Sequence, residues 1–233
     1  MKNLAVLWKF SKYNMRVIFG NKFIYFFLAA VVMFLLVGAL MLFEDGSIIR
    51  EASIYTLLLF PGVLLIFYPA SFGIQNDKDA KMLEIIFTIP DYRFRVWIAR
   101  LLMVYVIVYV QILGLTVLVD YLVFSVPIME MSLQVMFPLT FLGCLAFMMS
   151  ARLRNGNASA LVVIILCVGF MVMSGELKQS QWNLFLNPFE DPGSLNAFVW
   201  QDRLLNNRLY IGIASLLALM YSLVCLQKRE GFR

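Results

Sequence analysis

Apolar residues in this chain run in six long blocks, at about Phe23–Phe43, Ile54–Ile74, Trp97–Phe124, Leu133–Ala151, Ala158–Ser174 and Leu209–Leu226. A hydrocarbon layer about 30 Å thick is crossed by about 20 residues of α-helix, so each block is read as one transmembrane helix. Lipid offers no partner to a bare N–H or C=O, and a helix satisfies both within a single segment. The third block is long enough to tilt or to project past the bilayer, whereas the fifth and sixth are short. The predicted fold is an all-α membrane protein of six transmembrane helices, with residues 1–233 forming one transmembrane domain. The first block does not read as a cleavable signal peptide. It starts only at Phe23, outruns an h-region and meets no small-x-small site before Glu44 and Asp45.

Composition supports the same reading. Of the 233 residues 62% are hydrophobic and 14% charged, and the mean hydropathy is +0.85. A soluble domain of this size could not clothe its surface with so few charges. The placement of charge adds an orientation. Lys2, Lys9, Lys12, Arg16 and Lys22 precede the first block, and Lys78, Lys81, Arg93, Arg95 and Arg100 lie around the second connection. Arg152 and Arg154 follow the fourth block, and Lys228, Arg229 and Arg233 follow the sixth. These are fifteen of the 19 Lys and Arg residues, and six spans put all of them on one side. Arg50, Lys178, Arg203 and Arg208 fall on the other. The positive-inside rule then predicts both termini in the cytoplasm. The expected location is the cytoplasmic (inner) membrane of a bacterium.

Several chemistries are disfavoured. Histidine is absent, which removes the commonest general base and metal ligand. Cys144, Cys167 and Cys225 lie inside apolar blocks without metal-type spacing, and three is an odd number for a disulfide framework. No phosphate-binding loop, dinucleotide fingerprint, G-x-S-x-G or H-E-x-x-H occurs, so the chain is not expected to hydrolyse ATP alone. No catalytic residue and no metal ligand is assigned. Basic residues flank the spans rather than interleave with aromatics, which argues against nucleic acid as a partner.

Four features depart from plain spans. Wound as a helix, residues 1–22 put Lys2, Lys9, Lys12 and Arg16 within an arc of about 80°, opposite Leu4, Leu7, Trp8, Met15 and Ile18. Such a helix lies in the headgroup layer, with Lys2, Trp8, Lys9, Lys12 and Arg16 as interface contacts to membrane lipid. In residues 76–92, Asp77, Lys81, Glu84 and Thr88 share one helical face, and Met82, Leu83, Ile86 and Phe87 occupy the others. Pro90 ends that helix. Residues 175–208 combine Trp182, Phe185, Phe189, Phe198 and Trp200 with Asn187-Pro188 and Asp191-Pro192-Gly193. This reads either as an outer aromatic belt with a turn or as a re-entrant gate over a substrate route. Asp120 is the one acid well inside a predicted span, and acids there are costly and often functional. Gln111, Gly114 and Thr116 are read as helix-packing positions, and Pro61, Pro69 and Pro138 as sites where a span can kink.

Taken together, the pattern resembles the ABC-2 type permease family, the membrane subunit of type V ABC exporters. The most specific local match is NDKDAKMLEIIFTIPDYRFRVWIAR, with ARLRNGNASALVVIIL and LFLNPFEDPG as further matches. The usual glycine-threonine before the Leu-Glu pair is replaced here by Lys81-Met82. The resemblance implies a cytoplasmic ABC ATPase subunit as partner, with ATP and Mg bound there and no cofactor in this chain. It also implies a second permease copy or a related permease around a central route. Residues 1–22 would be the elbow helix, 76–92 the coupling helix seated on the ATPase, and 175–208 a re-entrant segment outside. Asp77, Lys81, Met82, Leu83, Glu84, Phe87 and Pro90 would make the ATPase contact. Asp120, Asn187 and Pro188 are the candidate residues of the route or gate. The function implied is export of a hydrophobic or amphipathic cargo. Alternatives are a haem-exporter-type permease of cytochrome c maturation and a non-transporting membrane scaffold regulated by an ATPase.

Overall fold

The computed structural model describes residues 23–43, 50–79, 93–123, 125–193 and 195–226. They form six long helices: α1 (Phe23–Phe43), α2 (Glu51–Asp79), α3 (Ala99–Leu122), α4 (Ile128–Leu153), α5 (Gly156–Glu176) and α6 (Ala197–Cys225). A π-helical turn over Arg93–Ile98 leads into α3. All six helices are long and apolar enough to cross a membrane, so the chain is a multi-pass membrane protein. Side chains that water would reject cover its outside. Ile24 and Leu28 on α1, Leu161 and Val172 on α5, and Leu209 and Leu217 on α6 are all exposed. Contiguous apolar surface of that extent is tolerated only where lipid covers it.

Helix α4 is the hub. It packs on α2, α3, α5 and α6, whereas α1 leans chiefly on α2. Small residues allow the close approaches. A Cβ at Gly143 of α4 would lie 2.6 Å from Ile66 Cδ1 and 2.8 Å from Tyr105 Oη, so a larger residue there would have to push those side chains aside. Polar side chains tie the helices together without leaving the bundle. Ser150 Oγ donates to the Ser71 carbonyl at 2.8 Å, Tyr105 Oη to the Thr140 carbonyl at 2.9 Å, and Ser132 Oγ to Thr116 Oγ1 at 3.2 Å. One apolar cluster, with Tyr55, Leu58, Ile112, Met131 and Leu139, fills the half of the bundle where α2 begins. A smaller one, with Ile74, Trp97, Phe147, Leu223 and Leu226, fills the end where α2 finishes. The first is called below the loop end and the second the basic end.

Helix boundaries differ from the hydropathy reading in an instructive way. Helix α1 matches its predicted block, but α6 begins twelve residues before Leu209, at Ala197. Within the segment predicted over 175–208, Ala197–Arg208 are helical and continuous with α6, and residues 177–196 lie between α5 and α6. Asn196 starts α6 by accepting from the Phe198 N–H at 3.2 Å. Its polar first turns persist because Arg203, Asn207 and Arg208 find partners in the loop. Helix α2 likewise runs past its predicted end at Ile74, on to Asp79. Asn155 caps α5 by accepting from the N–H groups of Asn157 and Ala158. Gly114 is not a packing glycine, since an added Cβ would meet nothing within 4 Å.

Candidate functional site

A cavity of about 1030 Å³ lies between α1, α2, α5 and the loop after α5. Most of its wall is apolar: Phe26, Met33 and Met41 from α1, Leu59, Phe60, Val63 and Phe67 from α2, and Val163, Cys167 and Met171 from α5. Helix α1 packs chiefly on α2, which also packs on α5. Polar groups gather at the loop end alone, where Ser53, Thr56, Ser174, Lys178, Asn183, Asn187 and Glu190 join the lining. The site is long and greasy, with one polar mouth.

That mouth is built by a ladder of turns. Asn183, Asn187 and Asp191 recur every fourth residue, and each side-chain oxygen accepts from the N–H two residues on, in Phe185, Phe189 and Gly193. Gly193 takes φ +62°, which closes the last turn. The ladder is fastened to three helices. Asn187 Nδ2 donates to the Ala52 carbonyl at 2.8 Å, at the start of α2. Asn207 Nδ2 donates to the Gln181 and Asn183 carbonyls, both at 2.8 Å. Arg208 donates to the Leu186 carbonyl at 3.2 Å, to Asn207 Oδ1 at 2.9 Å and to Gln134 Oε1 of α4 at 2.8 Å. Its guanidinium also lies 5.3 Å from the centre of the Phe137 ring. Arg208 is only 8% exposed, and its polar partners are neutral. Its charge is spread over three acceptors and an aromatic face, a role suited to the planar guanidinium. Outside the mouth, Trp182 stacks on Tyr210 with ring centres 4.7 Å apart, as an interfacial aromatic pair does.

Lys178 and Glu190 bridge the two ends of the ladder at 2.8 Å. The hydrogen bond to the Glu190 carboxylate, and that carboxylate's charge, hold the Lys178 ammonium above the usual lysine range. Both are partly open to solvent and both line the cavity. Asn183 is 5% exposed, and its side-chain oxygen accepts from the Phe185 N–H at 3.0 Å.

At the basic end, Asp77 in the last turn of α2 pairs with Arg100 in the first turn of α3. Arg100 also stands 5.3 Å from the centre of the Trp97 ring. Asp77 is buried, so the pair fixes the end of α2 to the start of α3. Next to it, Gln75 accepts from the Gly156 N–H and ties α2 to the start of α5.

The predicted site residues fall into three groups. Asn187 lines the cavity and anchors the loop, and Pro188 follows it in the ladder, half-buried. Asp120 is not part of that site. Its Oδ1 accepts from the Val126 N–H at 2.9 Å and holds the α3–α4 turn. Asp77 stands in an interhelical ion pair. Lys81, Met82, Leu83, Glu84, Phe87 and Pro90, and the elbow residues Lys2, Trp8, Lys9, Lys12 and Arg16, lie outside the described residues. Sequence reasoning missed Lys178, Asn183, Glu190 and Arg208. Lys178 and Arg208 entered only as outer-side charges, although an Asn-Arg pair against an apolar block was a signal of a buried polar anchor. No group of three or more His, Cys, Asp or Glu suited to a metal ion occurs among the described residues. Comparison of the chain with protein-family models, with curated proteins and with solved structures finds no match.

Proposed function

We propose that this chain is the membrane-spanning permease subunit of an ABC-2 type exporter in the cytoplasmic membrane of a bacterium. In this reading both termini and residues 80–92 face the cytoplasm, and a separate ABC ATPase hydrolyses ATP. A hydrophobic or amphipathic cargo then leaves through a route completed by a second permease. One observation carries the reading. Helix α2 walls the cavity from Ala52 to Phe67 and ends in the Asp77–Arg100 pair, immediately before residues 80–92. A push on those residues would pass along α2, and through Arg100 to α3, into the wall of the cavity.

Interfaces between packed helices switch between discrete arrangements rather than deform continuously, which is what such coupling needs. Of the kinks available in α2, Pro69 lies between the push and the cavity and Pro61 lies within the cavity wall. The test is ATP turnover by the partner ATPase, reconstituted with this chain in nanodiscs. Glu84→Lys combined with Phe87→Ala should abolish stimulation of that turnover while the chain keeps its thermal stability. Unchanged stimulation and unchanged assembly would rule out residues 76–92 as the coupling element.

A further inference from the structure

We propose that one water molecule is bound inside the bundle at the basic end, beside the Asp77–Arg100 pair, and that it bridges Trp97 to the backbone of α2. The inference does not depend on the exporter reading.

The site is a second, smaller cavity of about 30 Å³ where α2, α3 and α4 meet. Pro69 and Gly73 of α2, Trp97 and Arg100 at the entry to α3, and Phe147 of α4 line it. A buried water needs about 10–15 Å³ of such room and two to four polar partners. One water fits there, whereas a substrate-sized molecule does not.

Trp97 supplies the first partner. It lies in the π-helical turn before α3, is 3% exposed, and its Nε1–H has no hydrogen-bond partner among the described residues. A buried donor left without an acceptor is costly. The indole cannot swing out to meet bulk water, because Phe147 and Arg100 hold it. Its ring centre lies 5.9 Å from that of Phe147, and the Arg100 guanidinium stands 5.3 Å from it.

Pro69 supplies the second partner, and does so independently. Lacking an N–H, it leaves the carbonyl of the buried Leu65, one turn earlier in α2, without its helical donor. An acceptor is thereby freed on the Pro69 side of the cavity. Arg100 supplies the third. Its Nη1 bonds Asp77, and the guanidinium carries further N–H donors on the lining. A water that accepts from Trp97 and Arg100 and donates to Leu65 satisfies all three groups. An anion would meet the two donors but set a negative charge against the Leu65 carbonyl, and Asp77 already balances the charge of Arg100.

The experiment uses the purified, intact chain in detergent micelles, with tryptophan isotope-labelled at the indole nitrogen. Four tryptophans give four indole N–H signals in the NMR spectrum, and the one lost in Trp97→Phe belongs to Trp97. A long-lived cross-peak between that proton and water is expected in the parent, unchanged when chloride is added. At Gly73 an added Cβ meets nothing within 4 Å, so Gly73→Ala puts a methyl into open space without displacing protein. That variant should lose the water cross-peak while the Trp97 signal remains. Pro69→Ala returns the helical donor to Leu65 and should weaken the cross-peak severalfold. Alanine is the better helix former, so this variant decides the matter should Gly73→Ala fail to fold. A parent without the cross-peak, or a cross-peak that neither variant alters, would overturn the proposal. A Trp97 signal that moves with chloride would overturn it too, by seating an anion where the water is placed.

Discussion

Breaking the Asp77–Arg100 pair should cost far more than an ordinary surface ion pair, and by an amount that depends on which partner is removed. Side-chain exposure is 5% for Asp77 and 16% for Arg100, so both charges are largely withdrawn from solvent. Removing one member of a buried pair costs about 3–5 kcal/mol, because the other stays charged and unpaired. Arg100 has a long apolar stem and can swing its guanidinium toward the nearby polar layer, whereas Asp77 has no such reach. Asp77→Leu is therefore expected near the lower figure and Arg100→Met near the upper. For a chain of this size 1 kcal/mol moves the thermal midpoint by about 2–4 °C, so drops of about 6–20 °C are expected. The double substitution should recover most of the loss, since no buried charge remains. Cys144, 3% exposed, supplies the assay. A thiol-reactive fluorogenic dye reports its exposure as the detergent-solubilised protein is heated. Single variants within about 0.5 kcal/mol of the parent, the range of a surface pair, would refute the assignment of a buried strut.

Three further outcomes follow from the same geometry. Gly143→Ala should destabilise the bundle by about 1–3 kcal/mol, and Ile66→Val in the same chain should relieve part of that loss by removing the Cδ1 atom 2.6 Å from the new Cβ; the dye-based midpoint reads both. Arg208→Lys should loosen residues 177–196, because an ammonium cannot serve Gln134, Asn207 and Leu186 in one planar fork; faster proteolysis between α5 and α6, with the helices otherwise intact, is the readout. Lys178 has its folded value raised by Glu190, so the pair's stabilisation is complete below the ordinary lysine value near 10.4 and is lost as pH climbs through the higher folded one. The difference in midpoint between parent and Lys178→Met should thus be constant from about pH 7 to 9 and close above about pH 10.4.

Six apolar blocks were enough to predict six helices, because in lipid a long apolar run has one way to satisfy its backbone. The ends were less legible. Hydropathy treats Asp202, Arg203, Asn206 and Arg208 as having left the membrane. The helix nevertheless contains them, since Arg203 and Arg208 bond to the loop and Asn206 Nδ2 donates to Asp202 within the helix. The same holds for Asp77, whose partner lies 23 residues away. Asp120 drew attention as an acid inside a span, yet its oxygen serves a backbone N–H six residues on. Local turn chemistry can explain such a residue before function is invoked. The cavity was invisible in sequence because it is lined by residues of α1, α2, α5 and the loop after α5, a property of tertiary packing. Only Asn187 of its polar mouth was singled out beforehand, from the asparagine-proline pair.

The most direct measurement is recovery of the tagged, intact chain from the membranes of the organism that encodes it, in nanodiscs or mild detergent, with identification of the bound proteins. The account predicts a soluble ATPase bearing a phosphate-binding loop, recovered by the parent chain and lost when residues 80–92 are altered. A stable chain recovered repeatedly with no ATPase would contradict the exporter reading and leave a six-helix membrane protein with an apolar cavity.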